Sequence, residues 1–398
     1  MNIVHIVRGN YTPLALNGVY KVIDNISIAL SKQMGGGKVV VCSVNTHVEN
    51  DIFQSAFYEH IQFKEHPLRF FLDKKFKAFL LSSPKDTVFH FHSVFIPWFL
   101  PAVRQLKKNG YKRVVLTPHG QYVDEAMNVS LKKRIFFRYF DRKVIKTVDA
   151  VQLIGATEHN SYITSNAKEF HFIPNGCKSQ PAVEVKQTPC LTFGYMGRLD
   201  MGQKGLDILI QAFAFYRKQG GKAALRIAGD GPDKTSLERM CEILKLGKSV
   251  CFVGKVIGDE KWNFFKTCNF FLHSSRWDVL PTGCLEAAAS GTPLIVSVET
   301  NLGTYLNKFK SGFVYLSDGR PVQALADKLV EAERLFEQKD DYLEMCKNAN
   351  RMICEELNWD NIADMDMKEL YNIKKRRTTI CLHASTWLSG RRTRTGRR

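Results

Sequence analysis

The sequence predicts an α/β fold of two doubly wound, Rossmann-like domains facing each other across a cleft. Short apolar runs alternate with amphipathic stretches through the first half of the chain, the pattern of parallel strands with helices on both faces. The same alternation begins afresh at Leu191. Between the two halves, residues 176–189 are polar, carry proline and lack any period, as a linker does. At 398 residues the chain is long enough for two cores of ordinary size.

In the first half, strands are expected over Asn2–Val7, Lys38–Val44, Thr87–His92, Arg113–Thr117, Ala150–Ile154 and Glu169–Ile173, and helices near Gly18–Gln33, Pro97–Asn109 and Leu131–Val148. In the second half, strands are expected over Leu191–Met196, Ala224–Ala228, Ser249–Val253, Asn269–His273, Pro293–Val296 and Phe313–Leu316. Helices should start near Lys204, Asp233, Asp259, Cys284 and Pro321, and a closing helix near Trp359. The expected division is a first domain over 1–175, a linker over 176–189, a second domain with its closing helix over 190–373, and a basic, disordered tail over 374–398.

Composition excludes several classes. No apolar run reaches the ~20 residues that span a bilayer, and Met1–Arg8 reads as a first buried strand, too short for a signal peptide. Ten cysteines without a CxxC pair fit a reducing compartment, the cytoplasm, and no structural zinc. The net charge of +18 is uneven. Residues 1–175 carry 23 Lys/Arg against 13 Asp/Glu, 176–373 carry 25 against 26, and 374–398 carry 9 against none. Half of the excess therefore sits in the tail, which argues against a nucleic-acid partner for the folded part.

Two segments carry chemistry. Trp277-Asp278-Val279-Leu280-Pro281-Thr282-Gly283-Cys284-Leu285-Glu286 sets two carboxylates eight positions apart, between an apolar strand and a small-residue helix. A strand feeding a helix start offers unpaired backbone N–H groups and a positive dipole end. Upstream, Gly197-Arg198-Leu199-Asp200-Met201-Gly202-Gln203-Lys204 places two cations six positions apart, where a strand hands over to a helix. A guanidinium fork and an ammonium point charge suit a diphosphate. The spacing is not that of a P-loop, because Gln203 intrudes and Gly205 follows where Ser or Thr is required.

Together with Thr117-Pro118-His119-Gly120, Ile173-Pro174-Asn175-Gly176, Arg226-Ile227-Ala228-Gly229-Asp230-Gly231-Pro232 and Val253-Gly254, these segments resemble the retaining, nucleotide-sugar-dependent glycosyltransferases of the GT-B fold, the group 1 family of bacterial polysaccharide and lipopolysaccharide enzymes. The resemblance runs over roughly 1–373. It implies that Arg198 and Lys204 hold the donor diphosphate, that Glu286 binds the ribose hydroxyls, and that Asp278 contacts the transferred sugar. It also implies that the backbone of Leu280, Thr282 and Gly283 completes the cradle, that His119 faces the donor sugar as a catalytic group, and that Gly18 lets backbone approach the phosphates. The chain departs from the family pattern at Asp278, where Glu is commoner, and at Val279 and Asn17, where Gly is usual. His90 and His92 share one face of a strand, and His92 is expected on the acceptor side.

The resemblance further implies a UDP- or GDP-linked sugar as donor, a lipid-linked glycan acceptor on the first domain, and a role in O-antigen, lipopolysaccharide or capsule synthesis at the inner face of the plasma membrane. No metal or other cofactor is expected: Asp364-Met365-Asp366 fits a metal-binding Asp-x-Asp string but lies in the closing helix, where it reads as a solvated face. Lys132–Lys143 interleaves cations with aromatics, as a peripheral membrane contact would. An epimerase or hydrolase on the same fold, and a binding subunit without turnover, remain open alternatives at this level.

Overall fold

The computed structural model describes residues 1–371 apart from 15–16, 35–36, 49–51, 129, 159–160, 181–189 and 317–318. The tail and most of the expected linker lie outside the described residues. Two parallel sheets carry the fold. The first comprises β1 (Ile3–Arg8), β2 (Val39–Asn45), β3 (Glu59–Lys64), β4 (Val88–His92), β5 (Arg113–Thr117), β6 (Ala150–Leu153) and β7 (Phe170–Phe172), in the order β3-β2-β1-β4-β5-β6-β7. The second comprises β8 (Thr192–Met196), β9 (Ala224–Ala228), β10 (Val250–Gly254), β11 (Phe270–His273), β12 (Leu294–Ser297) and β13 (Gly312–Tyr315), in the order β10-β9-β8-β11-β12-β13.

The central strands are buried on both faces, which is why they read as near-continuous Val, Ile, Leu and Phe. In the second unit, Phe193, Tyr195, Leu209, Phe213 and Tyr216 pack between β8 and the helix Leu206–Lys218. Burying each such side chain contributes on the order of 2 kcal/mol, so the frame beneath the loops is rigid. In both sheets the strand order reverses once, between β1 and β4 and between β8 and β11. A doubly wound sheet splays its loops at that reversal and binds ligands there.

Several elements differ from expectation, the unexpected helices Lys74–Ser82, Gly303–Phe309 and Lys339–Glu355 among them. β3 was not foreseen, because Glu59–Lys64 is an edge strand with only one buried residue. The stretch Leu131–Val148 is not one helix: helical pieces Leu131–Phe136 and Arg142–Thr147 flank a π-turn over Phe137–Asp141. The buried Asp141 carboxylate there accepts from the Phe95 amide at 3.1 Å, which ties the helix inward. The closing helix Trp359–Met365 and the π-turn Asp366–Tyr371 cross back, so that Ile362, Ala363, Leu370 and Tyr371 join Ile3, Val7 and Ile23 of the first unit. Asp364 is exposed, but Asp366 is buried rather than on a solvated face, and burial pushes its carboxyl well up.

Candidate active site

After β8 come Gly197 and Arg198, then the short helix Met201–Lys204, capped by Asp200, whose Oδ1 accepts from Gln203 N at 2.7 Å. Gly205 turns at φ +61° and hands over to the helix Leu206–Lys218. Glycine is required here, since a Cβ would lie 2.1 Å from the Ser274 carbonyl oxygen. Ser274 Oγ donates to the Lys204 and Gly205 carbonyls at 3.0 and 2.9 Å. Arg276 forks onto Asp207 at 2.7 and 2.6 Å. The loops after β8 and β11 thus form one wall.

That wall delivers Lys204 to Asp278, Nζ to Oδ2 at 2.5 Å, with their side chains only 18% and 15% exposed. His273 Nε2 lies 3.1 Å from the same oxygen, and Val279 N donates to Oδ1 at 2.9 Å. Burial alone would raise the Asp278 carboxyl, but the Lys204 ammonium and the His273 ring outweigh it and hold the group well below the usual carboxylate range. Arg198 is different. Its side chain is 55% exposed, with Nη2 on Asp200 at 2.6 Å and on Gln203 at 3.0 Å, so the guanidinium is oriented yet keeps donors for an incoming anion.

Glu286 sits in the helix Thr282–Ala289, and Lys261 Nζ reaches its Oε1 at 2.5 Å. This helix starts after Pro281 without a side-chain cap, and Thr282 at its tip is exposed. Its first amides and positive dipole end therefore face solvent beside Asp278. Leu280 is buried and Gly283 is partly buried.

The first unit meets this loop through the turn after β5. His119 and Gly120 both have positive φ, +55° and +78°. The buried Glu158 carboxylate accepts from the Gly120 amide and from Ile154 N, the latter at 2.6 Å. Gly120 presses on Val279, where a Cβ would stand 2.3 Å from Cγ2. Asn301 Nδ2 donates to the Val279 and Asp278 carbonyls at 2.7 and 3.1 Å, and its Oδ1 accepts from Thr157 N at 3.2 Å. The Asp278–Val279 loop is thereby pinned to the first unit.

The structure thus brings Arg198, Lys204, Asp278 and the Thr282–Glu286 turn together on one side, with the His119 turn against them. Gly18 is exposed at the start of the helix Gly18–Gln33, where Asn17 Oδ1 caps Val19 N at 2.9 Å. His92 does not line the cleft: it is 2% exposed, with its ring nitrogens on His5 and His119, both at 2.9 Å. Alternation placed His90 and His92 on one face of β4 correctly, but that face turns inward. His5, His90 and His92 set ring nitrogens within 4.8 Å of one another, yet both nitrogens of His90 and of His92 already carry hydrogen-bond partners. Sequence reasoning missed Lys261, His273, Asn301 and Glu158, which belong to no motif and meet the site only through the fold.

A second hollow, a cavity of about 390 Å³, opens at the reversal of the first sheet. Arg8, Asn45, Thr46, Glu65 and Phe95 line it. Arg8 forks onto Glu65 at 2.7 and 3.0 Å, and Trp98 Nε1 donates to the same carboxylate at 3.1 Å.

Two sheets of this order, each with its reversal in a common cleft, define the GT-B architecture. Solved structures share it over nearly the whole chain. Sucrose-phosphate synthase from Thermosynechococcus elongatus superposes with a TM-score of 0.71 at 20% identity, over 93% of this chain and 98% of that one. HepE of Anabaena in complex with UDP superposes at 0.68 and 15% identity, over 94% and 100%. Residues 178–352 match the family described as Glycosyl transferases group 1, so the second unit is a domain of that kind. The alpha-monoglucosyldiacylglycerol synthase of Streptococcus pneumoniae is 28% identical over 237 residues, 54% of this chain and 53% of that protein. The GDP-mannose-dependent alpha-(1-6)-phosphatidylinositol monomannoside mannosyltransferase of Mycobacterium tuberculosis is 29% identical over 274 residues, 64% and 68%. The chain spans about half the length of the first curated relatives it matches.

Proposed function

We propose that this chain is a retaining glycosyltransferase that moves a sugar from a nucleotide-diphosphate sugar to a lipid-linked glycan acceptor, without a metal, in bacterial surface polysaccharide synthesis. The observation that carries the reading is the convergence of Arg198, Lys204 and the uncapped start of Thr282–Ala289 at the reversal of the second sheet, with Glu286 one turn further on. Fixed cations and amide dipoles there suit a diphosphate that gains negative charge as it leaves. In the step proposed, the acceptor oxygen bonds to the anomeric carbon as the bond from that carbon to the diphosphate breaks. The hydroxyl proton passes to the departing phosphate oxygen on the same face. Glu286 holds the ribose, Asp278 the transferred sugar, and His119 faces that sugar from the other unit. Leu280, Thr282 and Gly283 supply backbone around the phosphates, and Gly18 leaves room for them.

The hollow lined by Arg8, Asn45 and Phe95 is the seat proposed for the acceptor's sugar. Beside it, Phe95 packs edge-on against Phe136, and Phe136 stacks on Phe140, which meets Phe70. Leu68, Phe71, Leu131, Ile135 and Tyr139 are exposed on this flank among Arg69, Lys132, Lys133 and Arg138. Such a mixed basic and apolar face suits anionic lipid at the inner face of the plasma membrane. No helix among the described residues is long and apolar enough to cross a membrane. Two relatives are named for a glucosyldiacylglycerol and a phosphatidylinositol monomannoside, which supports a lipid-bearing acceptor.

Calorimetry with UDP and GDP, in EDTA, on the wild type and Glu286→Ala tests the donor site. Selective binding that the variant loses is expected, and absence of binding to any nucleoside diphosphate would remove the donor assignment. Co-sedimentation with anionic vesicles at low salt tests the membrane face, which requires binding that weakens when Lys132, Lys133 and Arg138 become Ser.

A further inference from the structure

Three imidazoles in an apolar interior need an explanation, because buried polar groups persist only when their hydrogen bonds are met. His5 on β1 stands level with His90 on β4, and His92 stands level with Thr117 on β5. His5, His90 and His92 are at most 2% exposed. Burial pushes His5 down to about 3 and holds His90 and His92 well below the usual range. Each ring is therefore neutral, with one donor and one acceptor.

One branch resolves from its far end. Gln152 Nε2 donates to the Ile173 carbonyl at 3.1 Å, so its Oε1 faces Thr117 and accepts that hydroxyl at 2.7 Å. The Thr117 proton is then spent. Its oxygen must accept from His90 Nε2–H at 2.5 Å, which leaves His90 Nδ1 to accept from Tyr371 OH at 2.8 Å. A backbone carbonyl thus fixes the tautomer of His90.

The other branch runs end to end, from His5 Nδ1 to His92 Nε2 and from His92 Nδ1 to His119 Nε2, both at 2.9 Å. It has two possible directions, and its buried end decides between them. His5 Nε2 has no partner, so one direction strands a bare lone pair there and the other strands an N–H. Orphaned buried N–H groups are the rarer defect. Donation accordingly runs His5 to His92 to His119, and the last ring keeps its proton on Nδ1. His119 alone of the four is partly exposed, in the turn that touches Val279 of the opposite unit.

We propose that His5 and His92 are positioning residues: a polarised imidazole relay that holds His119 as the Nδ1–H tautomer, so that it presents a neutral hydrogen-bond donor, not an acceptor, to an oxygen of the donor sugar. The sugar as recipient rests on the function proposed above; the tautomer does not. Without the relay, a partly exposed neutral imidazole exchanges between both tautomers and offers the donor only part of the time.

The test is a long-range ¹H–¹⁵N spectrum of the full chain labelled at histidine, with His119→Gln to assign the signal. A protonated Nδ1 and a bare Nε2 on His119 are expected. His92→Phe should average the two nitrogen shifts and lower kcat about tenfold at little change in nucleotide-sugar KM, while His92→Gln, whose amide can accept from His5 and donate to His119, recovers part of both. A wild-type His119 protonated on Nε2 overturns the relay, as does a tautomer indifferent to His92→Phe. Stoichiometric zinc that His5→Phe releases also overturns it, since the rings would then be ligands. Should His92→Phe fail to fold, the wild-type spectrum still decides. An Nδ1–H signal in a protein that transfers no sugar would sink the functional reading and leave the relay standing.

Discussion

Replacing Asp278 by Asn removes the charge that joins Lys204 and His273 while nearly keeping shape. Both members of the Lys204–Asp278 pair are less than one-fifth exposed and meet at 2.5 Å. Breaking a buried pair by removing one partner costs roughly 3–5 kcal/mol, and residual solvent here favours the lower end, about 3 kcal/mol. A loss of that size in a unit of this length lowers Tm by about 6–12 °C. The pH dependence has a definite sign. The folded-state pKa of Asp278 lies below its ordinary value of 3.8, so its contribution is fully present above that value and is lost as pH falls through the folded one. Calorimetric melting from pH 7 to pH 3 should therefore show a constant gap between wild type and Asp278→Asn down to about pH 4, narrowing below. The same variant frees Lys204. On the proposed function, UDP or GDP binds at least as tightly as in the wild type, while turnover falls tenfold or more. Equal melting temperatures at pH 7, or a gap that widens below pH 4, would refute the electrostatic argument; weakened nucleotide binding with normal turnover would refute the assignment.

Lys261→Ala should cost little stability, about 1 kcal/mol or less, because the pair with Glu286 is about one-quarter exposed on each side. Nucleotide affinity should nonetheless drop severalfold as Glu286 loses its orientation, and calorimetry reads this directly. Gly120→Ala should destabilise by about 1–2 kcal/mol from its left-handed φ alone, with a further loss from collision with Val279. Val279→Ala should recover only that further part, so a double-mutant cycle by denaturant melting should be non-additive. Glu158 is pushed up from 4.5 to about 7 by burial, against its bonds from the Ile154 and Gly120 amides. Its contribution is thus full below pH 4.5 and is lost as pH rises through 7. Glu158→Gln should flatten the stability profile over that window, and should itself cost about 1–3 kcal/mol because its amide NH₂ faces a backbone N–H.

Much of the fold was legible because the central parallel strands are buried on both faces and so stand out as apolar runs. Arg113–Thr117 and Ala224–Ala228 run over the expected residues without adjustment. Legibility failed where tertiary contacts set the backbone. The amphipathic run at Leu131 gives no sign of the π-turn, which comes with Asp141 reaching across to Phe95. The helix expected at Lys204 is divided by Gly205 because Ser274, almost 70 positions later, approaches too closely for any side chain. At the candidate site, Arg198, Lys204, Asp278 and Glu286 were visible since each lies in or within a turn or so of a strand–helix junction with a recognisable spacing. Lys261 looks like any surface lysine until the fold lays its helix beside Glu286. His92 shows the limit of periodicity: a period of two says which residues share a face and not which face turns inward.

The departures at Asp278 and Val279 bear on whether the site is intact or decayed. A residue left by decay is expected to lose its partners, yet Asp278 is surrounded. Its Oδ2 takes both Lys204 and His273, and its Oδ1 takes the amide of Val279, the next residue in the chain. That last bond suits the short side chain, since a carboxylate one methylene longer would be carried away from its own following amide. Val279 in turn fills the space that Gly120 leaves across the cleft, and Asn301 holds the carbonyls of both residues. The two departures therefore fit one loop with its own supports. On the proposed function, such support favours a working donor site over a binding subunit that has lost its chemistry, and it makes the Asp278–Val279 loop the part of the proposed site in which to test specificity for the transferred sugar.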